Sequence, residues 1–387
     1  MSFWQLMLAE VKAILADKAI AVTLFGGVLF YSVLYPLPYL QQVPTEQQVV
    51  VVDHDNSSLS RLVTRHADAS AKIHILANLA SIDEAQAWVN QGKAHGLLVI
   101  PANFRRDLLI GKGATLSYGG DASYFLIYSA VAEGLVAAGI DASKHVQLIG
   151  LLSRGQNPQL AEQSVNSINI NANPVFNPSL GYTPYVVPGL FLLILHQTLL
   201  IGTGILGAGQ WRKKGYWQQV SPGLLVMARL SVFLLMYGVF SGFYLGYCFY
   251  WYQVSVLATI IEVALFMLPF LLATGALGIL LSCMFKRRDF PTQLYLLMSM
   301  PVLFVSGFVW PIALIPEPLV AVSQVIPAVP AIMGMLELNQ LGALWSAVQP
   351  KWLQLWVLFA VFVCLAIWAV AQKQKQAVGI KSDVLSE

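Results

Sequence analysis

Few residues of this chain combine a reactive side chain with an unusual setting. Glu262 is the only charge in the run from Leu230 to Phe285. On a helix over Val254–Cys283 it would lie about nine residues in, roughly 13 Å deep at 1.5 Å per residue. A carboxylate at that depth is costly and is a functional candidate by default, as a proton or cation site. The alternative is a buried partner for a polar group of a neighbouring helix. His196-Gln197 fall in the middle of another apolar run, where they would line a substrate path or form an interhelical hydrogen bond. A third group, Gln210-Trp211-Arg212-Lys213-Lys214-Gly215-Tyr216-Trp217, joins three cations to flanking aromatic rings between two apolar runs. Separately these are a topology signal and interface anchors. Together they make a short protruding element suited to docking a soluble partner.

Other chemistries fail on spacing. There is no G-x-x-x-x-G-K-[ST], since Gly92-Lys93 and Gly111-Lys112 lack both the upstream Gly and the following hydroxyl residue, so the chain carries no P-loop of its own. Neither H-E-x-x-H nor G-x-S-x-G occurs. Asp53-His54-Asp55-Asn56-Ser57 begins like a calcium loop, but Ser58 stands where Gly is needed and Thr64 where the bidentate Glu is needed. Gly238, Gly242 and Gly246 form a tandem G-x-x-x-G that allows close helix approach, within the subunit or between two.

The elements that position these residues follow from composition. Of 387 residues, 57% are hydrophobic and 11% charged, against about 25% charged in soluble domains, so there is too little charge to cover a water-facing surface. The net charge of +3, without basic-aromatic interleaving, points to no nucleic-acid partner. The three cysteines lie in or beside apolar runs and provide no disulfide framework. A bilayer core of ~30 Å needs roughly 20 apolar residues per helix. The runs Ile20–Leu40, Val186–Leu206, Leu224–Tyr247, Val254–Cys283, Thr292–Trp310 and Trp352–Ala371 meet that need.

Residues 1–18 place apolar side chains at helical spacing, with Gln5, Glu10 and Lys12 opposite, as in an amphipathic helix lying in the membrane interface. The span after it (19–40) is followed by no A-x-A-like site, so an uncleaved anchor is expected rather than a signal peptide. Residues 41–183 alternate strand and helix signals: strands over Gln48–Val52, Lys72–Leu76, His95–Ile100 and Ala114–Tyr118, helices over Ser58–Ala69, Asp83–Asn90 and Tyr124–Arg154. Residues 157–179, rich in Asn and Pro, return the chain to the membrane. Five helices are expected over 184–371, with Pro327 and Pro330 breaking the stretch about 311–350 into re-entrant helices held against protein. Residues 372–387 form a tail. The fold class expected is an α-helical polytopic membrane protein of about six transmembrane helices, with an inserted mixed α/β extracytoplasmic domain.

Basic residues set the orientation. With both termini cytoplasmic, the inner segments hold Lys12, Lys18, Arg212, Lys213, Lys214, Arg229, Lys286, Arg287, Arg288, Lys373, Lys375 and Lys381, and the short outer connections hold only Lys351. The other Lys and Arg residues lie in the insert, whose translocation is insensitive to charge.

Across essentially its whole length the chain resembles the ABC-2 type permease family, membrane subunits of bacterial ABC exporters with a large external domain after the first helix. Val51-Val52-Asp53-His54-Asp55-Asn56-Ser57-Ser58-Leu59-Ser60-Arg61 is similar to the family's V-V-D-x-D-x-S-x-x-S-R stretch. Ser221-Pro222 with Arg229 resembles the opening of its third span. Ser306-Gly307 through Pro311 and Pro316 resembles the segment before its external re-entrant helices. The family often carries E-x-E-x-G-T between the second and third spans. Here Arg212-Lys213-Lys214-Gly215-Tyr216 keeps only the Gly, which implies a partner with a complementary acidic surface.

The resemblance implies a multi-pass permease of the bacterial inner membrane, without its own ATPase motif. It would be paired with a second copy or a similar permease and bound to a cytoplasmic ABC ATPase subunit. No cofactor is bound by this chain, and ATP is used by the partner. The expected ATPase-coupling residues are Trp211, Arg212, Lys213, Lys214, Gly215, Tyr216 and Trp217, with Trp211, Tyr216 or Trp217 filling an apolar groove of the ATPase. His196, Gln197 and Glu262 are the intramembrane polar candidates. Membrane lipids and a periplasmic adaptor protein complete the partner set, and the cargo implied is amphipathic or lipid-like. Two rival readings are a proton-coupled secondary transporter using Glu262 and a non-transporting membrane scaffold. The first lacks the internal repeat that many such transporters show.

Overall fold

The computed structural model of the chain describes residues 1–40, 43–167 and 174–384. It divides into two compact units, one formed by residues 1–42 and 174–387 and the other by residues 43–173.

In the first unit, helix Phe3–Ala16 opens with a capping box: Gln5 N donates to Ser2 Oγ at 3.3 Å, and Ser2 N donates to Gln5 Oε1 at 2.9 Å. Asp17 ends it in extended geometry, and its Oδ1 accepts from Ala19 N and Ile20 N to start the first apolar helix, Lys18–Tyr39. The second, Tyr182–Gln210, is the core of the unit, with 94% of its most apolar window buried. The third, Pro222–Trp251, starts at Ser221, whose Oγ accepts from Leu224 N, with Pro222 supplying a preset φ in the first turn. The fourth is Ile260–Ser282, and the sixth lies within Trp345–Val384. Gly278 lets the fourth helix approach the second, where a Cβ would meet Leu200 Cα at 3.4 Å and collide with Thr203.

The fifth differs from expectation. Phe290–Val305 has 16 residues, about 24 Å at 1.5 Å per residue, less than the ~30 Å hydrocarbon core. Ser306 ends it, and Gly307 turns the chain at φ 91°, a conformation open to glycine. Over the expected re-entrant stretch, Glu317–Ser323 and Ala328–Gln340 are bent 95° from one another at a break before Pro327. Among the described residues, six helices, or seven if the bent pair is one span, are long and apolar enough to cross, Phe125–Ser153 of the second unit among them, as in a polytopic membrane protein.

The second unit carries a four-stranded sheet of order β2-β1-β3-β4, with β1 Gln47–Asp53, β2 Ile73–Leu79, β3 Gly96–Ile100 and β4 Ser117–Gly120. β1 runs parallel to both neighbours and β4 antiparallel to β3. Val49 to Val52 are all fully buried, as a central strand covered on both faces requires. Val49 and Val51 pack under helices Ser58–Asp68 and Phe125–Ser153, while Val50 and Val52 pack with Ala85 of helix Ile82–Asn90. Phe125–Ser153 is long and apolar enough to cross a membrane, yet Val131, Leu135, Ala138 and Ala142 join the sheet's core. Helix Pro158–Val165 follows it. Part of the expected return segment, residues 168–173, and the first residues of the expected insert, 41 and 42, lie outside the described residues.

Candidate functional site

The residues that matter converge at the end of the first unit where helix Phe3–Ala16 meets the loop between the second and third apolar helices. Arg229, two turns into the third helix, is fully buried, as is Glu10. Arg229 Nε donates to Glu10 Oε2 at 2.8 Å and Nη2 donates to Glu10 Oε1 at 2.9 Å, a forked pair of charge-assisted bonds. Nη2 also donates to Gln210 Oε1. Tyr216 Oη donates to Glu10 Oε1 at 2.9 Å and accepts from Gln210 Nε2 at 2.6 Å. Burial, and then the neighbouring Glu10 carboxylate, raise the Tyr216 phenol above its ordinary range, so it remains a protonated donor. One charge pair and two neutral groups thus tie helix Phe3–Ala16 to the loop and to the second and third apolar helices.

The loop folds inward on its aromatic side. Trp217 is 2% exposed; its Nε1 donates to Lys213 O at 2.9 Å, and its ring stands edge-on to Trp211 at 5.1 Å. Trp211 Nε1 donates to Ser282 Oγ at the end of the fourth helix, and its ring lies 5.4 Å from the Arg229 guanidinium. Gln374 of the sixth helix donates to the carbonyls of Trp217 and Val220. The expectation that Trp211, Tyr216 or Trp217 fills a partner's groove is therefore corrected for Trp217: its ring is already packed within the chain. Trp211 and Tyr216 are half-buried and engaged at their polar atoms. Gly215 sits in extended backbone between the cations and Tyr216. Arg212, Lys213 and Lys214 remain exposed, so the loop has an apolar inner side and a cationic outer side.

Glu10 was expected on the polar side of its helix, and the structure reverses that. Met7, Glu10 and Ile14 are three or four residues apart and all buried. The available signal was two lone opposite charges, Glu10 inside an apolar stripe and Arg229 inside an apolar run, each needing a partner in a low-dielectric setting. Gln210 carried no comparable signal.

The intramembrane candidates separate. Glu262 is the third residue of the fourth helix, which begins at Ile260 rather than near Val254, because Val254–Ser255 and Leu257–Ala258 bond instead to Phe249, Asn339 and Gln340. Its carboxylate accepts from Thr259 N at 2.9 Å and Thr259 Oγ1 at 2.7 Å, closing a capping box. Glu262 thus lies in the first turn of its helix rather than about nine residues in. His196 is buried and lies flat against Phe270 with centroids 6.3 Å apart, and its Nε2 has no hydrogen-bond partner among the described residues. Gln197 lines a cleft of about 370 Å³ with Val22, Gly26, Tyr31, Thr198 and Thr292. Its walls come from the first, second and fifth apolar helices.

Gly238, Gly242 and Gly246 have open space where a Cβ would stand and border an apolar groove toward the fourth helix. Asp53, from the stretch resembling a calcium loop, instead accepts from Asp55 N and Asn56 N at 3.0 Å, turning β1 into the helix that Ser57 caps.

Residues 18–368 match the model of the ABC-2 family transporter protein family. The chain is 24% identical over 331 residues to the probable multidrug ABC transporter permease YbhR of Escherichia coli K12, covering 81% of this chain and 83% of that protein. The same figures hold for YbhR of Escherichia coli O157:H7.

Proposed function

The chain belongs to the ABC-2 transporter family, and on that premise we propose that it exports amphipathic or lipid-like molecules, driven through the loop Trp211–Trp217. It is the permease subunit of an ABC transporter, a multi-pass membrane protein with an ATPase partner and a paired permease. Both termini are cytoplasmic in this reading, and the unit built on the β-sheet lies outside the cytoplasm, following the basic-residue asymmetry. The permease pairs with a second copy or a similar subunit. ATP is bound and hydrolysed by the partner ATPase, and this chain holds no cofactor.

The observation that carries the coupling is the loop's two-sidedness. Outward, Arg212, Lys213 and Lys214 meet an acidic surface of the ATPase. Inward, Trp211, Tyr216 and Trp217 are bonded to the fourth apolar helix, to helix Phe3–Ala16 and to the sixth apolar helix. A displacement of the loop is thereby transmitted to the packed helices rather than absorbed by a free segment. The cleft beside Gln197, between the first, second and fifth apolar helices, supplies the cargo path. The word multidrug in the relative's name supports the amphipathic class.

The test places a photo-crosslinking residue at Arg212 in cells that co-express a cytoplasmic ABC ATPase and follows efflux of an amphipathic dye. A crosslink to the ATPase, and efflux lost when the ATPase's P-loop Lys is replaced, is the expected result. Hydrolysis of ATP by the purified chain alone would overturn the assignment.

A further inference from the structure

We propose that the junction of Asp17-Lys18, Lys213-Lys214 and Arg288 is a binding site for the phosphate of an anionic phospholipid, with an acyl chain running into the cleft beside Gln197. Two adjoining cavities, of about 390 Å³ and 290 Å³, share Ala13, Asp17, Lys213 and Arg288 as walls; Lys18 completes the first and Lys214 the second. Four cations thus face one carboxylate. That carboxylate is already committed: one oxygen of Asp17 accepts from Ala19 N and Ile20 N, and the other takes Arg288. Among the described residues, Lys18, Lys213 and Lys214 have no carboxylate within salt-bridge distance. The pocket therefore has about three uncompensated positive charges, and small side chains at Ala13, Ala16 and Ala19 leave room beside them. A phosphodiester anion can pair with these cations and with the Arg fork.

Continuity with the apolar cleft selects a lipid over a free phosphate or an acidic peptide. Three stretches of chain line both spaces, each passing from one to the other over four residues, ~6 Å where the stretch is helical. Lys18 is followed by Val22 on the first apolar helix, Arg288, in the bend before the fifth, by Thr292 within it, and Ile205 is preceded by Ile201 on the second. A polar pocket with a mostly apolar slot beginning one turn away fits an amphiphile, headgroup at the membrane boundary and tail between helices. Basic pockets between transmembrane helices on the cytoplasmic side are suited to such headgroups. The proposal rests on the membrane placement of these helices and not on the cleft's role as a cargo path.

The full chain, purified and delipidated in neutral detergent, is titrated with phosphatidylglycerol, phosphatidylcholine, glycerol 3-phosphate and a poly-glutamate peptide, with binding read by native mass spectrometry and thermal shift. Phosphatidylglycerol should bind about tenfold or more tighter than phosphatidylcholine at low salt, and the preference should vanish in K18Q/K213Q, which removes two exposed cations of about one decade combined. G26L, which places a side chain in the cleft, should weaken both lipids and leave the headgroup preference intact. Equal phosphatidylglycerol binding by the wild type and K18Q/K213Q overturns the site. Stabilisation by glycerol 3-phosphate or poly-glutamate equal to that by phosphatidylglycerol overturns the lipid as its ligand. Absence of ATPase-dependent dye efflux by the wild-type chain, with lipid binding intact, would count against the transport reading and leave this one standing.

Discussion

Glu10 grips Arg229 with both carboxylate oxygens across 219 positions of chain, and neither side chain reaches water. Removing one partner leaves an uncompensated charge in the core. Glu10→Ala should cost about 3–5 kcal/mol, whereas replacing both residues by Met should be far milder or neutral. Thermal unfolding of the detergent-solubilised protein, followed by size-exclusion chromatography, checks the order. A double variant no more stable than Glu10→Ala would show that the pair does not carry the effect.

Trp217→Ala should act on stability before it acts on partner binding, because the ring is packed inside the chain. Truncating a buried Trp costs about 3–5 kcal/mol. Trp217→Phe, which keeps most of the packing but loses the bond to Lys213 O, should cost only about 0.5–1.5 kcal/mol. The check is heat stability alongside ATPase co-purification for both variants. A Trp217→Ala protein with unchanged stability and lost ATPase binding would restore the anchor reading.

How far such arrangements can be read from sequence depends on the range of the forces. Gln48–Val52 reads as a strand from one β-branched run, whereas Ser221-Pro222 entered only through the resemblance, although its cap and preset φ are local. The Asp17 break and the Thr259–Glu262 box also use local bonds, but a single apolar run hid where the fourth helix begins. The Trp217 ring packs into the core of the first unit, and no local pattern distinguishes a ring packed inward from one held out. Glu10 lay between: its spacing from Met7 and Ile14 was visible, while its partner was not.

Glu262→Gln should leave transport intact and insensitive to a protonophore at constant ATP. Gln can serve at the third position of a capping box as Glu does, so the start of the fourth helix is preserved. Efflux measured with and without the protonophore in wild type and variant gives the answer. A variant whose efflux alone loses its dependence on the proton gradient would return Glu262 to a transport role.

A cysteine at Ser143, exposed on helix Phe125–Ser153, should react with a membrane-impermeant thiol reagent applied to intact cells, in a background lacking Cys248, Cys283 and Cys364. A cysteine at Lys375 should react only after permeabilisation. This follows from inner segments rich in Lys and Arg, against outer connections holding only Lys351, which is itself paired with Glu337 at 2.8 Å. The reverse labelling pattern would invert the orientation.

Reversing Arg212, Lys213 and Lys214 to Glu should weaken ATPase association while leaving the protein folded. All three side chains are exposed and none forms a salt bridge among the described residues, so their removal breaks no internal pair. Single Lys→Gln changes should have little effect, since an exposed ion pair contributes about 0–1 kcal/mol. Three reversals turn attraction into repulsion, and the defect should shrink as salt rises, because at 0.15 M the Debye length is about 8 Å. Trp217→Ala should show the opposite signature, a loss of heat stability with little salt dependence. Co-purification across a salt series, with heat stability measured on the same samples, separates a docking charge from a packed ring. A triple reversal that binds the ATPase as wild type does at low salt would remove the cationic side of the loop from the coupling surface.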